Sequence, residues 1–417
     1  MAINITFLAG YYEPDISADT HLNSSLCNGL SKKGYNVNVV APFPSRGISN
    51  AMRVKYSGVN EEINEYGVNI LRIGKSTYKQ NIVLRGIDFI RKTILMYKSA
   101  KKIDTDYYII MSTPPFLGLI SSFLPKNAVK IYRLQDIFPD SLINAGIIKN
   151  RGFIFKFLKY LEQRIYYGND LIITVSHEIK RQLIARGVSS SKIKVVYNWI
   201  DEEKCVPIKK EENYLYDEFK LDREKFNVVY AGNIGHLQNI ETIVKTAEYL
   251  KHRKDIMFII IGDGVLKQKI QDSIENKSLK NIRLFSMQPL ERVPYVYSLG
   301  DVGLVSLKEG VSKSALPSKT WSIMSAGRPV ICEIDANSEL NDILIENRCG
   351  ICIEPGDYVS MAKAIMKFLD SPNLLYEMSA NARQFIVEHV SEKYGISQFV
   401  ESMIGCSARK GETDQNV

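Results

Sequence analysis

Nowhere in the 417 residues does an apolar run approach eighteen residues, so no segment reads as a membrane-spanning helix. The opening MAINITFLAGYYEPD has no basic stretch before its short apolar run, and a secretory leader is not expected. Cysteine is scarce: six residues, scattered without the spacing of a disulfide framework, fit a reducing cytoplasm. Only Cys349 and Cys352 form a CxxC, in NRCGICIEPGD, whose alternation reads as a strand. With no second cysteine pair and no histidine-rich segment to complete it, a metal or redox role is not expected there. Of the five histidines, His21 and His177 stand alone and read as packing residues. There is no low-complexity tract and no strong excess of one charge. The net +8 favours anionic partners without specifying nucleic acid, and no nucleic-acid partner is expected.

What is there is a chain too long for one compact core and about right for two α/β domains. NITFLAG and NVNVVAP read as strands flanking the helix ADTHLNSSLCNGLSKKG; YYIIMSTPP, AVKIYRLQD, DLIITVS and KIKVVYNWID continue the series to about residue 200. Residues 203–224 are charged and strand-poor, a linker composition. The alternation then restarts with strands FNVVYAGNIG, MFIIIGDG, NIRLFSM, DVGLVSL and PVICEI, separated by helical patterns. This predicts two doubly wound parallel sheets facing a central cleft, with ligands at the carboxyl ends of the strands. The expected limits are 1–200, 201–385, a helix over 386–405 crossing back to the first domain, and a flexible tail over 406–417.

Anion-compatible segments recur at strand ends of the second domain. In YAGNIGHLQNIETI, Gly232 and Gly235 separate a strand from a helix starting near Asn239. Such glycines let backbone amides approach a phosphate, or simply make a strand-to-helix turn. FIIIGDGVLKQKI repeats the pattern: Gly262 and Gly264 leave room for a flat base or close a turn, and Asp263 reads as a helix cap. In VSKSALPSKTWSIMSAGRPVI, Pro317 suits a first helical turn, Ser318 offers a hydroxyl, and Lys319 reaches an anion at the same end. A single lysine is ordinarily a solvated charge, but three such features at successive strand ends reinforce one another. In SELNDIL, Ser338 is a cap, and Glu339 favours the helix dipole or accepts hydrogen bonds from a ligand's hydroxyls. Glu309, closing a strand before a flexible glycine, is another candidate for a ligand's hydroxyls.

In the first domain, YRLQDIFPDSLINAG sets Arg133, Asp136 and Asp140 after a strand. Asp136 binds or deprotonates an acceptor hydroxyl, or caps the next helix. The DTD at 104–106 looks like a metal-binding DxD but precedes its strand, at the opposite sheet edge, so no metal is expected.

Together VYNWID, YAGNIG, IIIGDG, PSKTWSIMSAGRPVI, SEL and GICIEPGD resemble the retaining family 4 glycosyltransferases of GT-B fold, over nearly the whole chain. The resemblance is to the bacterial surface-polysaccharide subgroup that includes O-antigen N-acetyl-L-fucosamine transferases and colanic-acid transferases. It implies a UDP-sugar donor, an undecaprenyl-diphosphate-linked saccharide acceptor, no metal, and no covalent enzyme intermediate. On that reading Gly232, Asn233, Gly235, Gln238, Gly262, Gly264, Ser318, Lys319, Ser338 and Glu339 bind the donor. Arg133, Asp136 and Asp140 bind the acceptor, and Lys319, Asp136 and Glu309 act in catalysis. Family members carry an Arg and a Lys where this chain has Asn233 and Gln238, and a pair of glutamates, the second at Ser322 and the first unmatched; Lys319 is the remaining source of positive charge. IVLRGIDFIRKTILMYKSAKK and KNRGFIFKFLKYLEQRIYYG read as core-facing helices with basic outer faces. The lipid-linked acceptor would place them instead on the anionic inner face of the cytoplasmic membrane. The alternatives are an isomerase like the UDP-N-acetylglucosamine 2-epimerases and a non-catalytic sugar-nucleotide-binding protein.

Overall fold

The β-rich apolar runs become strands buried on both faces, as the central strands of parallel sheets must be. The computed structural model describes residues 2–17, 19–74, 82–140, 152–311 and 316–414. These divide into two compact units, Met1–Tyr197 with Gly395–Val417, and Asn198–Tyr394.

The first unit holds β1 (Asn4–Leu8), β2 (Asn36–Pro42), β3 (Glu61–Ile63), β4 (Asn69–Ile73), β5 (Tyr107–Met111), β6 (Val129–Leu134), β7 (Leu171–Thr174) and β8 (Ile193–Val195). Their order is β3-β4-β2-β1-β5-β6-β7-β8, parallel except for the pairing of β3 with β4. The β3–β4 hairpin is not announced by an apolar run: EEI and NILRI are short and mixed, and pairing at the sheet edge makes them strands. On one face Met96 and Ala100 of the helix Ile82–Ala100, Leu117 and Ile120 of the short helix Leu117–Phe123, and Ile165 and Tyr166 of the helix Phe153–Gly168 share one apolar core with the strands. The helix Glu392–Asp414 returns to this unit. Ile396 fills the space where a side chain on Gly29 would stand, and Lys410 Nζ reaches Asp170 at 3.2 Å and the carbonyls of Lys126 and Ala128 at 2.9 Å.

The second unit is a parallel sheet of β9 (Phe226–Ala231), β10 (Ile256–Ile261), β11 (Ile282–Phe285), β12 (Val302–Ser306), β13 (Val330–Glu333) and β14 (Gly350–Ile353), in the order β11-β10-β9-β12-β13-β14. The chain winds outward from β9 to β11, then returns to β12 on the other side of β9. Strand order therefore reverses between β9 and β12, the point where open α/β sheets offer a ligand crevice. In the first unit it reverses between β1 and β5. The charged stretch 203–224 is not a loose linker. Leu215 and Tyr216 are fully buried, Tyr216 donates its hydroxyl to the Leu299 carbonyl at 2.8 Å, and Asn213 donates to the Tyr295 carbonyl at 2.8 Å. Few but large apolar side chains anchor a segment whose average composition is polar.

Candidate functional site

At the carboxyl ends of β9 and β10 two glycine turns stack on each other. A Cβ on Gly262 would come within 2.0 Å of the Gly232 carbonyl oxygen, and one on Gly264, whose φ is +153°, within 2.4 Å of the Ile234 oxygen. Hydrogen bonds from Ile234 N to the Asp263 carbonyl at 2.9 Å and from Leu266 N to the Ile234 carbonyl at 3.0 Å close the stack. Gly262 and Gly264 are thus required by contact between two backbones. Asp263 does not cap the following helix, Lys267–Asn276; its carboxylate takes Lys267 Nζ at 2.5 Å and Met287 N at 2.8 Å. Gln238 Oε1 accepts from Gly235 N and Asn233 Nδ2, both at 3.3 Å, so the two residues in the places of the usual cations brace the turn.

Lys319 comes to this turn from the helix Lys319–Ser325. Its Nζ donates to the Tyr230 hydroxyl at 2.8 Å, lies 4.1 Å from the centre of the Tyr230 ring, and would stand 3.0 Å from a Cβ on Gly232. Tyr230 in turn donates to the Asn233 carbonyl at 2.7 Å. No carboxylate pairs with Lys319 among the described residues. Burial holds its pKa down at about 8, opposed only by the Cys332 thiol. A half-buried ammonium whose protein partners are a hydroxyl and a ring, with no carboxylate beside it, is placed to take an anion. The helix itself adds little: it has seven residues, and Ser318 at its cap is exposed and makes no side-chain capping bond. The expected cluster of Pro317, Ser318 and helix end reduces to the lysine ammonium. Residues 312–315, which lead into it, lie outside the described residues.

The remaining second-unit candidates are placed differently. Ser338 is buried and uses its hydroxyl to cap the helix Glu339–Glu346, accepting from Asn341 N at 3.4 Å. Glu339 is half-buried in the first turn of that helix. Glu309 is exposed, on a loop held by the Asp335 carboxylate, which accepts from Gly310 N at 3.0 and 3.1 Å. Cys352 does not face Cys349; it stands directly opposite Cys332 on β13, where their thiols interact.

In the first unit the reversal point gathers Asp19 from the loop after β1, Thr113 from the end of β5, and Arg133 and Asp136 from β6 and its exit. Arg133 is buried, and burial lowers its guanidinium pKa to about 10, with Asp19 opposing. Asp19 is raised by burial against the pull of Arg133 and His21. Asp136 is raised by the surrounding protein and by the charge of Asp19, although solvent reaches its side chain. His21 thus stands beside Asp19 and Arg133 and not inside a core, and burial lowers its pKa. Asp140 is not gathered with this group. Its carboxylate pairs with Lys159 at 3.1 Å and with Arg186, which also holds the buried Glu162. The DTD lies at the other edge, where Asp106 accepts from Asn4 N at 2.8 Å.

Sequence reasoning missed Tyr230, Asp19, Glu333 and Asp335. Tyr230 and Glu333 look like strand ends, and only their partners 89 and 94 residues away reveal them.

Two doubly wound sheets, parallel but for one edge hairpin and each with a reversal point, are the architecture of the GT-B fold. The chain belongs to the family 4 glycosyltransferases: residues 23–204 match the model of glycosyltransferase family 4, and residues 215–385 match that of glycosyl transferases group 1. Among its relatives is a probable glycosyltransferase, WbjE, of Pseudomonas aeruginosa, 24% identical over 77% of this chain and 80% of the relative. Another is a putative colanic acid biosynthesis glycosyl transferase, WcaI, of Escherichia coli, 24% identical over 66% and 67%. Among solved structures, sucrose-phosphate synthase of Thermosynechococcus elongatus superposes with a TM-score of 0.72, at 14% identity, over 98% of this chain and 100% of that one. Anabaena HepE in complex with UDP-glucose superposes with a TM-score of 0.68, at 13% identity, over 97% and 100%.

Proposed function

We propose that this chain transfers a sugar, with retention and without a metal, from a UDP-sugar to an undecaprenyl-diphosphate-linked saccharide during assembly of a bacterial surface polysaccharide. N-acetyl-L-fucosamine is the first donor sugar to try. The observation that carries the reading is Lys319, a half-buried ammonium with no carboxylate partner, held 2.8 Å from the Tyr230 hydroxyl against the Gly232 turn. As the glycosidic bond breaks, the leaving diphosphate gains negative charge, and a preorganised cation there stabilises the transition state more than the ground state. The departing phosphate takes the acceptor proton on the same face, which gives retention. Asp136 and Arg133 position the acceptor hydroxyl, and Glu309 and Glu339 are left for sugar hydroxyls.

The named relatives support the acceptor class. One from Campylobacter jejuni, 26% identical over 43% of this chain and 50% of its own length, is named as a transferase acting on a diphospho-undecaprenol glycan. HepE crystallised with UDP-glucose supports the donor class. Residence at the inner face of the cytoplasmic membrane follows from such an acceptor, and among the described residues no helix is long and apolar enough to cross a membrane.

The test is product analysis with UDP-sugars and a lipid-linked saccharide. Sugar on the lipid with the donor's anomeric configuration is the expected result. An isomerised donor assigns an epimerase, and nucleotide binding without turnover assigns a binding protein.

A further inference from the structure

The carboxyl end of β13 carries an acid that the transfer reaction does not use. Glu333 is fully buried. Its Oε1 accepts from Asn239 Nδ2 at 2.7 Å, Thr242 Oγ1 at 2.9 Å and Gly356 N at 2.6 Å, and its Oε2 accepts from the Ser306 hydroxyl. Among the described residues no Lys, Arg or His pairs with it. Four donors around an acid are the surroundings of an ionised, accept-only carboxylate. Burial still raises its pKa against all four bonds.

Its place gives this charge a consequence. Asn239 precedes the helix Ile240–Tyr249 and Thr242 is the third residue of it, so the carboxylate faces the start of that helix. Asn239 makes no capping bond to its own helix; its amide goes to Glu333. The positive end of the helix, which would otherwise favour an anion at the preceding Gly232–Gly235 turn, is therefore already faced by an internal anion.

We propose that Glu333 is a positioning residue that sets how tightly the donor diphosphate is held: its hydrogen bonds fix the helix start behind the glycine turn, and its charge weakens the hold, favouring release of the nucleoside diphosphate. The inference rests on the reading of that turn as the donor site. An uncompensated charge behind a diphosphate in a partly desolvated site changes affinity on the order of tenfold.

The experiment is calorimetric titration of the full-length protein with UDP, with a thermal melt of each variant. Glu333→Gln keeps an acceptor for Asn239, Thr242 and Gly356 but removes the charge, and UDP should bind on the order of tenfold more tightly with the melt unchanged. Glu333→Ala removes both bonds and charge; it should melt lower and bind more weakly. A purely structural glutamate would leave Glu333→Gln no tighter than wild type, and that result with an intact melt overturns the inference alone. Wild-type protein that does not bind UDP removes the donor reading and the inference with it.

Discussion

Lys319 holds its proton loosely, and that makes its role measurable. Its pKa stands at about 8 because burial disfavours the ammonium, against an ordinary lysine near 10.5. A bound diphosphate favours the ammonium, so above pH 8 nucleotide binding must take up a proton. Affinity for UDP should therefore fall as pH rises through 8, approaching tenfold per pH unit, until the pKa of the complex is reached. Stability runs the other way: the unfolded lysine keeps its proton to higher pH, so the fold is penalised below pH 8 and recovers as pH climbs from about 8 toward 10.5. Lys319→Ala should bind UDP weakly with a flat profile from pH 7 to about 9, and lose roughly 100-fold or more in turnover. Calorimetry across that range in buffers of different ionisation enthalpy checks it; a flat wild-type profile would take Lys319 out of the diphosphate site. The lysine was legible in the sequence because it stands at a strand-to-helix step with no acid nearby. Tyr230, which orients it, was not, since a tyrosine closing an apolar strand reads as core until its partner 89 residues on is known.

Among the elements, the apolar runs of β5, β9 and β10 could be read directly, because strands buried on both faces need no alternation to be recognised. The edge hairpin β3–β4 and the packed segment around Tyr216 could not, because sheet pairing and long-range hydrogen bonds create them. The glycine turns were legible as turns, but their packing was hidden. A sequence pattern does not tell a glycine that admits a ligand from one that admits another backbone. Gly262→Ala sets a methyl against the Gly232 carbonyl, which can yield only by shifting the Gly232–Gly235 turn. It should cost about 1–3 kcal/mol of stability and weaken UDP binding. Gly235→Ala is the contrast: its methyl meets only the ends of the Asn233 and Gln238 side chains, at 2.6 and 3.2 Å, and the melt should stay near wild type. Equal melts for the two variants would show that the stacked turns tolerate separation.

For the whole molecule, the two-domain α/β plan was visible from the alternation of strands and helices, whereas partner surfaces were only half visible, because an apolar residue in a helix pattern does not declare which way it faces. The first unit now decides that for two helices. Ile87, Ile90 and Ile94 of the helix Ile82–Ala100 and Phe157 and Tyr160 of the helix Phe153–Gly168 are 50% to 60% exposed. Phe123, 68% exposed, stands on the short helix Leu117–Phe123 and meets Tyr97 edge to face at 6.4 Å, joining these elements on one face of the sheet. Exposed cations accompany them, Arg91, Lys98, Lys156 and Arg164, while the carboxylates of the two helices are engaged: Asp88 pairs with Lys92, and Glu162 with Lys159 and Arg186. Apolar side chains with unopposed cations fit an anionic lipid interface, where buried area and surface potential act together. The protein should co-sediment with vesicles containing phosphatidylglycerol and much less with neutral phosphatidylcholine, and binding should fall as salt rises. Replacing Ile90 and Phe157 with Glu should abolish co-sedimentation while leaving UDP affinity unchanged, since the glycine turn proposed to take the donor belongs to the other unit. Wild-type protein left in the supernatant at low salt would show that this face meets something other than lipid.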